Sequence, residues 1–523
     1  MSTWPMLTTW NQWGIVNTLS KLCFTALLIY HGTTALVRLL KSKQKNKQLS
    51  RQMTSVGKFA LLSQSERNPS IISFFIALAN IDEGMDIEEF EQLWSEVMKK
   101  HDRFRFRVRE DGKCFEEAHK SIREYTSEVP HPQNPIEFKA RINSFLTCPM
   151  DVKKQGWEVS LSSGPIGASG AILDSEELMQ QGYKSETVAL FRVHHVLCDG
   201  LSLSAAVKDA ADEKDQLDKT MVDALDKYKK NSKKVGMVLR LVGLVVYYVF
   251  GSMFAASHQL RNMLTSTNPF DVFIKDAGEE DNERSLSWKC LTTVDDAKSV
   301  TRSVSKQIKL NDLFVALLSS ALERRYQELK DDDSYASKST YSGKCPSYVN
   351  VVVPVHLTGS ILPGQPIGNK IGAFVSSIPI FQESQKKRSV SISRLRKVSK
   401  ILSLHKLSTA PQMSWFITAL ISKLGFESIA KDAIMRFNCK AVGIVSNVHG
   451  FPYEIHWKGR PIKMLGAFLP LPPNVPIGIV ATSYDGNIIL VVEADKRVVP
   501  DADRFLEYML EEYQVIKEQM SMQ

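Results

Sequence analysis

The sequence predicts an α/β fold in two halves, and three observations lead to this prediction. The chain has 523 residues and a hydrophobic content of 43%, which leaves room for two domains with large cores. Helical apolar spacing across residues 87–101 is followed by strand-like alternation at Phe104, Phe106 and Val108. Strand-like and helix-like segments alternate again after residue 286. We therefore expect one half over residues 53–230 and another over 286–523.

Residues 1–52 are predicted to be a hydrophobic anchor followed by a basic linker. The stretch Leu22–Val37 is largely apolar, but it is shorter than the ~20 residues that a spanning helix usually needs. The basic residues between positions 41 and 51 favour the cytosolic side and anionic lipid. A tilted span and an in-plane anchor both fit, with an ordinary buried helix as the alternative. A secretory signal is not favoured, because the opening residues lack a basic segment.

The first half ends in the pattern that carries the most chemical information. Residues 187–193 are β-branched and aromatic, as in a buried strand, and His194 and His195 follow at its end. Strand side chains alternate, so only one of these two imidazoles can face a given cleft. An imidazole with a pKa near ~6.5 can take a proton from a hydroxyl group, provided that its other nitrogen is held in the right tautomer. A packed or solvated histidine pair is the alternative.

The residues after the histidines suggest how the base is held. Asp199 could hold the base directly, or it could pin the turn through an arginine. Gly200 is expected to let the chain turn into a helix over residues 201–211.

Residues 231–285 are predicted to be a hydrophobic crossover between the halves. Within it, Val235–Ala256 contains Arg240 as its only charged residue and is long enough to span a bilayer. A span would put His195 and Asn311 on opposite sides of the membrane, so that no joint active site could form. We therefore expect an interfacial or re-entrant helix, with a buried inter-domain helix as the alternative.

The second half contains further element signals in chain order. A strand-like segment begins near Leu286, and a helix is expected to open at Asn311, whose side chain could cap it. Residues 348–353 suit a buried strand, the Asp485-Gly486 pair indicates a hairpin, and Pro500 and Asp501 introduce the last helix.

Charge and cysteine usage limit the function classes. A net charge of +9 suits nucleic acid, an anionic membrane or an acidic substrate, but no nucleic-acid motif supports the first. The seven cysteines show no paired spacing, so neither a disulfide framework nor a metal site is expected, which fits a reducing compartment. No glycosylation sequon free of proline occurs.

Taken together, the motifs resemble those of the bifunctional wax ester synthase/diacylglycerol acyltransferase (WS/DGAT) family, a branch of the CoA-dependent acyltransferases with a chloramphenicol-acetyltransferase-like fold. The resemblance covers about residues 53 to 515, in the family's order. Besides the HHxxxDG pattern at 194–200, it rests on residues 309–316, 368–372, 445–452 and 483–487. Two departures affect one turn: His449 replaces the family's first proline, and Phe451 intervenes before Pro452. The C-terminal signature of the plant BAHD acyltransferases is absent.

The resemblance implies two chloramphenicol-acetyltransferase-like halves with a tunnel between them, and His195 as the general base at its middle. Acyl-CoA is then the cosubstrate, and no tightly bound cofactor is implied. No acyl-enzyme is needed, so Cys198 is interpreted as a packing residue. Asn311 is a candidate for polarising the thioester oxygen or orienting the base, with a helix cap as the alternative. The remaining candidate residues are His194, Asp199 and Gly200 around the base and Asp312, Asn369, Ser446 and Asn447 in the tunnel wall.

The expected acceptor is lipid-like, either diacylglycerol or a long-chain alcohol, because two apolar elements and a basic flank suit a protein that takes substrates from a bilayer. The expected location is a membrane or lipid-droplet surface, such as the endoplasmic reticulum, with both catalytic halves cytosolic. Two alternatives remain open: a condensation-type domain that acylates an amine, and a catalytically silent lipid-droplet protein.

Overall fold

In a computed structural model, the described residues are 52–65, 68–232, 250–253, 255, 257, 283–331, 347–358, 363–380, 387–406, 408–424, 440–472 and 474–522. The predicted anchor and basic run lie outside them. The same holds for most of the apolar run 235–256.

The elements of the chain up to residue 232 alternate between strands and helices. In chain order they are α1 (Ser55–Ser63), β1 (Ile71–Asn80), α2 (Ile87–Lys100), β2 (Phe106–Val108), β3 (Phe115–Glu117), β4 (Thr126–Glu128), α3 (Pro135–Thr147), β5 (Trp157–Pro165), α4 (Ser175–Gln180), β6 (Ser185–His194), α5 (Gly200–Ala210) and α6 (Lys214–Ser232).

The elements after residue 283 continue the alternation. They are β7 (Arg284–Thr293), α7 (Val294–Val304), α8 (Leu310–Asp331), β8 (Tyr348–His356), β9 (Ile371–Pro379), α9 (Lys387–Lys406), α10 (Ala410–Leu424), β10 (Ala441–His449), β11 (His456–Trp457), β12 (Arg460–Phe468), β13 (Ile477–Tyr484), β14 (Asn487–Asp495) and α11 (Ala502–Ser521).

Two six-stranded sheets organise the described residues, which agrees with the predicted α/β class. The first has the order β11-β12-β1-β6-β5-β4, and the second has the order β7-β14-β13-β10-β8-β9. Strand β12 comes late in the chain, yet it pairs antiparallel with β1 in the first sheet, with Phe74 opposite Ala467. The late part of the chain therefore completes the early sheet, so the two parts interlock.

An aromatic and aliphatic core joins the two sheets. On β1, Phe75 is fully buried, and its ring centroid lies 5.3 Å from that of Trp288 on β7. Val480 and Val491 of the second sheet belong to the same cluster. Burial of this much apolar surface holds the sheets together, so residues at the strand ends have defined positions relative to each other.

Several local predictions are confirmed, and two are corrected. Helix α2, the turn at Asp485-Gly486 and the cap of α11 by Asp501 occur as expected. The strand predicted from Phe104 begins only at Phe106, because residues 102–105 form a 3-10 helix in which the Phe104 carbonyl accepts the indole N–H of Trp157. Helix α8 begins at Leu310, so Asn311 lies inside its first turn and not at its cap.

None of the helices within the described ranges is both long enough and apolar enough to cross a membrane.

Candidate active site

Strand β6 is central in the first sheet, and its end positions the two histidines. The Cα of His194 lies opposite Ile71 on β1, while the neighbouring Val193 lies opposite Trp157 on β5. Paired on both sides, the strand has little freedom. The main-chain N–H of His195 then donates to the carbonyl of Ser70 at 2.7 Å, which continues the ladder through the turn.

His194 is a structural histidine with both ring nitrogens engaged. It is fully buried, its Nδ1 accepts the backbone N–H of Val196 at 3.0 Å, and its Nε2 lies 2.9 Å from Oε1 of Gln64. Because Nδ1 accepts, Nε2 carries the proton and donates it to Gln64. Burial, with a smaller contribution from His195, lowers the pKa of His194 to about 3. This imidazole stays neutral and braces the turn.

His195 presents the other imidazole. The residue is half-buried, and its Nδ1 is enclosed without a hydrogen bond to another described residue. The Nε2 atom is not enclosed in this way. Of the four ring nitrogens in the pair, Nε2 of His195 is therefore the one in a position to take a proton from a substrate.

Among the described residues, no arginine bonds to Asp199, and neither His194 nor His195 does. Asp199 is completely buried, and its Oδ1 accepts from the backbone N–H of Ser202 at 2.9 Å, which caps helix α5. Its Oδ2 accepts from the backbone N–H of Lys370 at 2.9 Å. The carboxylate thus positions the turn indirectly, by fastening it to a loop from the other part of the chain.

That loop, residues 367–370, contacts the histidine turn at several points. Asn369 donates from Nδ2 to the carbonyl of His195 at 2.7 Å, and it also lies 3.4 Å from the carbonyl of Val196. Ser202 Oγ lies 2.7 Å from the Gly368 carbonyl and accepts the Gly368 N–H at 3.1 Å. Asn369 therefore contacts the backbone of the base directly, a closer role than the predicted tunnel wall.

Gly200 is the first residue of α5, as expected, but its backbone is not in the left-handed region. A Cβ at this position would meet Val448 Cγ2 at 3.8 Å, an ordinary contact. The predicted need for glycine's conformational freedom at this turn is thus wrong. Because Val448 is on β10, this contact shows that β10 lies beside the HHxxxDG pattern.

Asn311 is connected to β10. Its Oδ1 accepts from Nδ2 of Asn447 at 2.7 Å. Because α8 begins at Leu310 and the side chain of Asn311 bonds to β10, the alternative of a simple helix cap is wrong.

Two other predicted residues lie near this contact in the sequence. Asp312 is buried, and its Oδ2 accepts from the backbone N–H of Lys309 and from the hydroxyl of Ser399, which secures the start of α8. Ser446 lies opposite Val480 in the sheet.

Cys198 and Arg103 lie behind the turn. Burial raises the pKa of the Cys198 thiol, so the thiol stays protonated and is a poor nucleophile. Burial also lowers the pKa of Arg103 to about 10, and its guanidinium donates to the carbonyls of Gln52 and Leu197. The packing interpretation of Cys198 agrees with this environment.

Sequence reasoning missed three residues of the site. Gln64 holds His194, Ser202 links Asp199 to Gly368, and Nε2 of His356 lies 3.7 Å from Oδ2 of Asp199. Burial lowers the pKa of His356 more than the attraction of Asp199 raises it. Ser202 was the most accessible to prediction, because the side chain of an N-cap residue usually accepts the backbone N–H two or three residues further on. No local signal marks Gln64 or His356.

The described residues contain no cluster of three or more histidine, cysteine or acidic side chains suited to holding a metal ion.

The comparison with protein families gives a match in the later part of the chain. Residues 367–517 match the family described as the WS/DGAT C-terminal domain. The match includes Asn369, Ser446 and Asn447. The resemblance to the WS/DGAT family is thereby confirmed.

Relatives of this WS/DGAT-like chain extend the match beyond that domain. Wax ester synthase/diacylglycerol acyltransferase 3 of Arabidopsis thaliana is 21% identical over 398 residues, which cover 74% of this chain and 76% of the relative. Among solved structures, the wax ester synthase/diacylglycerol acyltransferase of Marinobacter aquaeolei VT8 has a TM-score of 0.52 and 15% identity, covering 90% of this chain and all of that one.

Two further solved structures share the fold. The TRI3 trichothecene 15-O-acetyltransferase of Fusarium sporotrichioides has a TM-score of 0.59 at 11% identity, covering 89% of this chain and 94% of that one. The first condensation domain of the calcium-dependent antibiotic synthetase has a TM-score of 0.53 at 11% identity, with 88% and 96% covered. The fold is therefore that of acyltransferases and condensation domains, and the WS/DGAT domain distinguishes between them.

Proposed function

We propose that this chain is an acyl-CoA-dependent O-acyltransferase that moves a fatty acyl group to a lipid alcohol, with His195 as the general base. The acyltransferase class rests on the WS/DGAT domain and its relatives. The assignment of the base rests on one observation: both nitrogens of His194 are engaged in bracing the turn, whereas Nε2 of His195 is not enclosed.

The reaction balances without an acyl-enzyme. Nε2 of His195 takes the proton of the acceptor hydroxyl as its oxygen forms a bond to the thioester carbonyl carbon. The carbon–sulfur bond of the tetrahedral intermediate then breaks, and the CoA thiolate recovers the proton from the imidazolium. The products are the ester and free CoA. The protonated, buried Cys198 thiol is not needed at any step.

We assign the stabilisation of the tetrahedral oxyanion to Asn311. Its Oδ1 is already occupied by Asn447, which fixes the orientation of the carboxamide and leaves its NH₂ group to donate. A preorganised amide donor of this kind is typical of oxyanion sites. The pair also explains why Asn447 would matter without touching the substrate.

The substrates would meet in a tunnel between the two sheets, with acyl-CoA entering from one face and the alcohol from the other. Interlocking of the sheets through β12 and the fastening of the histidine turn to residues 367–370 support a site built from both parts of the chain. Diacylglycerol and long-chain alcohols are both candidate acceptors. We propose a membrane or lipid-droplet surface of the endoplasmic reticulum as the location, with the catalytic part cytosolic.

An acceptor panel tests this proposal. The purified full chain is incubated with labelled acyl-CoA and, in parallel, with diacylglycerol, a long-chain alcohol, a sterol and an amine, with a His195→Ala variant as the control. We expect ester from diacylglycerol or the alcohol, and none from the variant. An amide as the main product would support condensation-type chemistry instead, and no product with any acceptor would support a catalytically silent protein.

A further inference from the structure

Helix α10 is nearly uncharged, yet one of its faces is open to solvent. Residues 410–424 contain Lys423 as their only charged residue. Ala410, Met413 and Phe416 are buried, whereas Ile417 and Leu420 are 39% and 38% exposed. A surface helix of a soluble domain normally carries polar residues on its outer face. The outer face of α10 therefore requires a specific explanation.

The preceding helix, α9, has the opposite character. It contains seven lysines and arginines and no acidic residue, and the absence of acidic residues continues through α10 to residue 424. The basic positions of residues 387–424 are 387, 388, 394, 396, 397, 400, 406 and 423. The buried Arg394 is paired with Glu323 of α8, whereas Arg396, Lys397 and Lys400 are exposed, so the uncompensated positive charge of α9 lies on its outer side.

The exposed residues of α9 lie along one stripe. Arg396, Lys397, Lys400 and Leu404 follow helical spacing on its outer side, while Leu395, Val398 and Leu402 are buried on the inner side. The stripe begins basic and ends at Leu404, which is 48% exposed and lies close to the start of α10. Arginine and lysine beside exposed aliphatic residues are typical of elements that lie in a membrane interface.

Residues 250–253 contact the junction between α9 and α10. Ser252 Oγ lies 2.7 Å from Thr409 Oγ1 between α9 and α10, and the neighbouring Phe250 and Met253 are 66% and 49% exposed. These residues are the end of the apolar run 235–256. Exposed apolar side chains from two separate parts of the sequence therefore border one patch.

We propose that α9, α10 and residues 250–253 form a docking surface for an anionic lipid bilayer, the apolar side chains entering the interface and the α9 stripe meeting the headgroups. Absence of acidic residues across 387–424 is what favours a lipid surface over a second copy of this chain, because a second copy would place two equally basic surfaces together. This docking surface adds to the proposed function because it is the face that would meet the membrane holding the lipid acceptor. Binding of the bilayer does not require that the acceptor is turned over.

The location of this surface connects it with the base. Helix α10 packs against β9 and α1. Helix α1 in turn approaches the histidine turn so closely that a Cβ on Gly57 would lie 2.8 Å from the carbonyl of Val196. A bilayer on α10 is thus one helix away from the turn that carries His195.

Hydrogen–deuterium exchange on the full chain provides the direct test. Exchange is measured without vesicles, with phosphatidylcholine vesicles, and with vesicles that also contain phosphatidylserine. We expect slower exchange over residues 410–424 with the anionic vesicles. Unchanged exchange in this segment, at labelling times when it still exchanges without vesicles, would overturn the proposal.

Two pairs of variants identify the contributing side chains. In a vesicle sedimentation assay, Arg396→Ser with Lys400→Ser should weaken partitioning to anionic vesicles by about fivefold per charge. The matched control is Arg302→Ser with Lys306→Ser, two exposed basic residues in the last turn of α7 and just after it. Ile417→Ser with Leu420→Ser should weaken partitioning to both vesicle types, unlike Ile136→Ser on α3, which is 80% exposed.

Further outcomes separate this inference from the proposed function. Both α9 and α10 variants should keep wild-type turnover of a soluble short-chain alcohol while losing turnover of a vesicle-borne acceptor. Wild-type protein that binds vesicles through residues 410–424 but acylates no acceptor would refute the function alone. Partitioning by both variants equal to that of their controls would refute the docking surface alone, and self-association that is lost in Ile417→Ser with Leu420→Ser would point to a second copy instead.

Discussion

Asp199 Oδ2 accepts the backbone N–H of Lys370 at 2.9 Å, across 171 residues of sequence. Its other oxygen caps helix α5 through Ser202. The acidic residue of the HHxxxDG pattern thus joins the two parts of the chain at the point where the base is held, without bonding to the base itself.

The first prediction is that Asp199→Asn lowers stability and turnover together. An asparagine keeps one acceptor oxygen but turns an NH₂ group towards either Ser202 or Lys370, so one buried hydrogen bond is lost at a cost of about 1–3 kcal/mol. Chemical denaturation and initial rates measure the two effects. Asp501→Asn is the matched control: Asp501 caps α11 away from the site through one oxygen, and asparagine caps a helix equally well, so stability and turnover should both stay close to wild type. A normal melting temperature with no turnover would instead indicate a direct electrostatic role for Asp199.

The sequence predicted the strand end and the alternation of strands and helices in both parts of the chain because these depend on local patterns. The β-branched and aromatic run at residues 187–193 predicts β6. What the sequence did not predict comes from distant pairing. Gln64 reaches His194 from 130 residues away, and β12 joins the first sheet opposite β1, contacts that no local spacing records.

The role of Asn311 also depends on a distant contact that local sequence does not predict. Its position near a helix start suggested a cap, since asparagine is favoured there. Tertiary contact decided otherwise: the helix begins one residue earlier, and the side chain bonds to Asn447, 136 residues along the chain.

The second prediction concerns the base. His195→Gln should lower turnover by about 10² to 10⁴-fold with little change in melting temperature, because no described residue bonds to its ring while its backbone bonds to Ser70 and Asn369 persist. Steady-state rates and thermal denaturation on the same preparations check both parts. Near-normal turnover in the folded variant would rule out His195 as the base.

The third prediction is an acid-dependent loss of stability due to His194. Its folded-state pKa of about 3 lies below the unfolded value of 6.5, so the stabilising contribution is complete above pH 6.5 and is lost as the pH falls from there towards 3. The slope is about 1.4 kcal/mol per pH unit while only the unfolded state takes up the proton. His194→Asn, whose Oδ1 can replace Nδ1 as acceptor for Val196, should reduce this slope. Parallel slopes for wild type and variant in urea denaturation between pH 4 and 6.5 would contradict the assignment.

The fourth prediction concerns Glu493 on β14. Burial raises the pKa of this carboxyl group to about 8, despite Arg284 at 3.8 Å. At pH values above the unfolded-state pKa of 4.5, the unfolded chain releases the proton of Glu493, whereas the folded chain keeps it. The free energy of unfolding therefore falls as the pH rises from 4.5 towards 8. Glu493→Gln removes this titration and should be more stable than wild type by a margin that grows across that range. Denaturation at several pH values measures the margin, and Glu88→Gln at an exposed position on α2 is the control.

The last prediction tests whether Asn311 and Asn447 act as one unit. Because Asn447 Nδ2 donates to Asn311 Oδ1 at 2.7 Å, loss of Asn447 frees the carboxamide that we assign to the oxyanion. Asn311→Ala should lower kcat by roughly 10² to 10³-fold, in line with the removal of one oxyanion donor, and Asn447→Ala should lower kcat less. Adding Asn447→Ala to Asn311→Ala should then lower kcat hardly any further, since the side chain that Asn447 orients is already gone. Full additivity of the two losses in kcat would show that the asparagines act separately, and unchanged kcat in Asn311→Ala would remove it from the reaction.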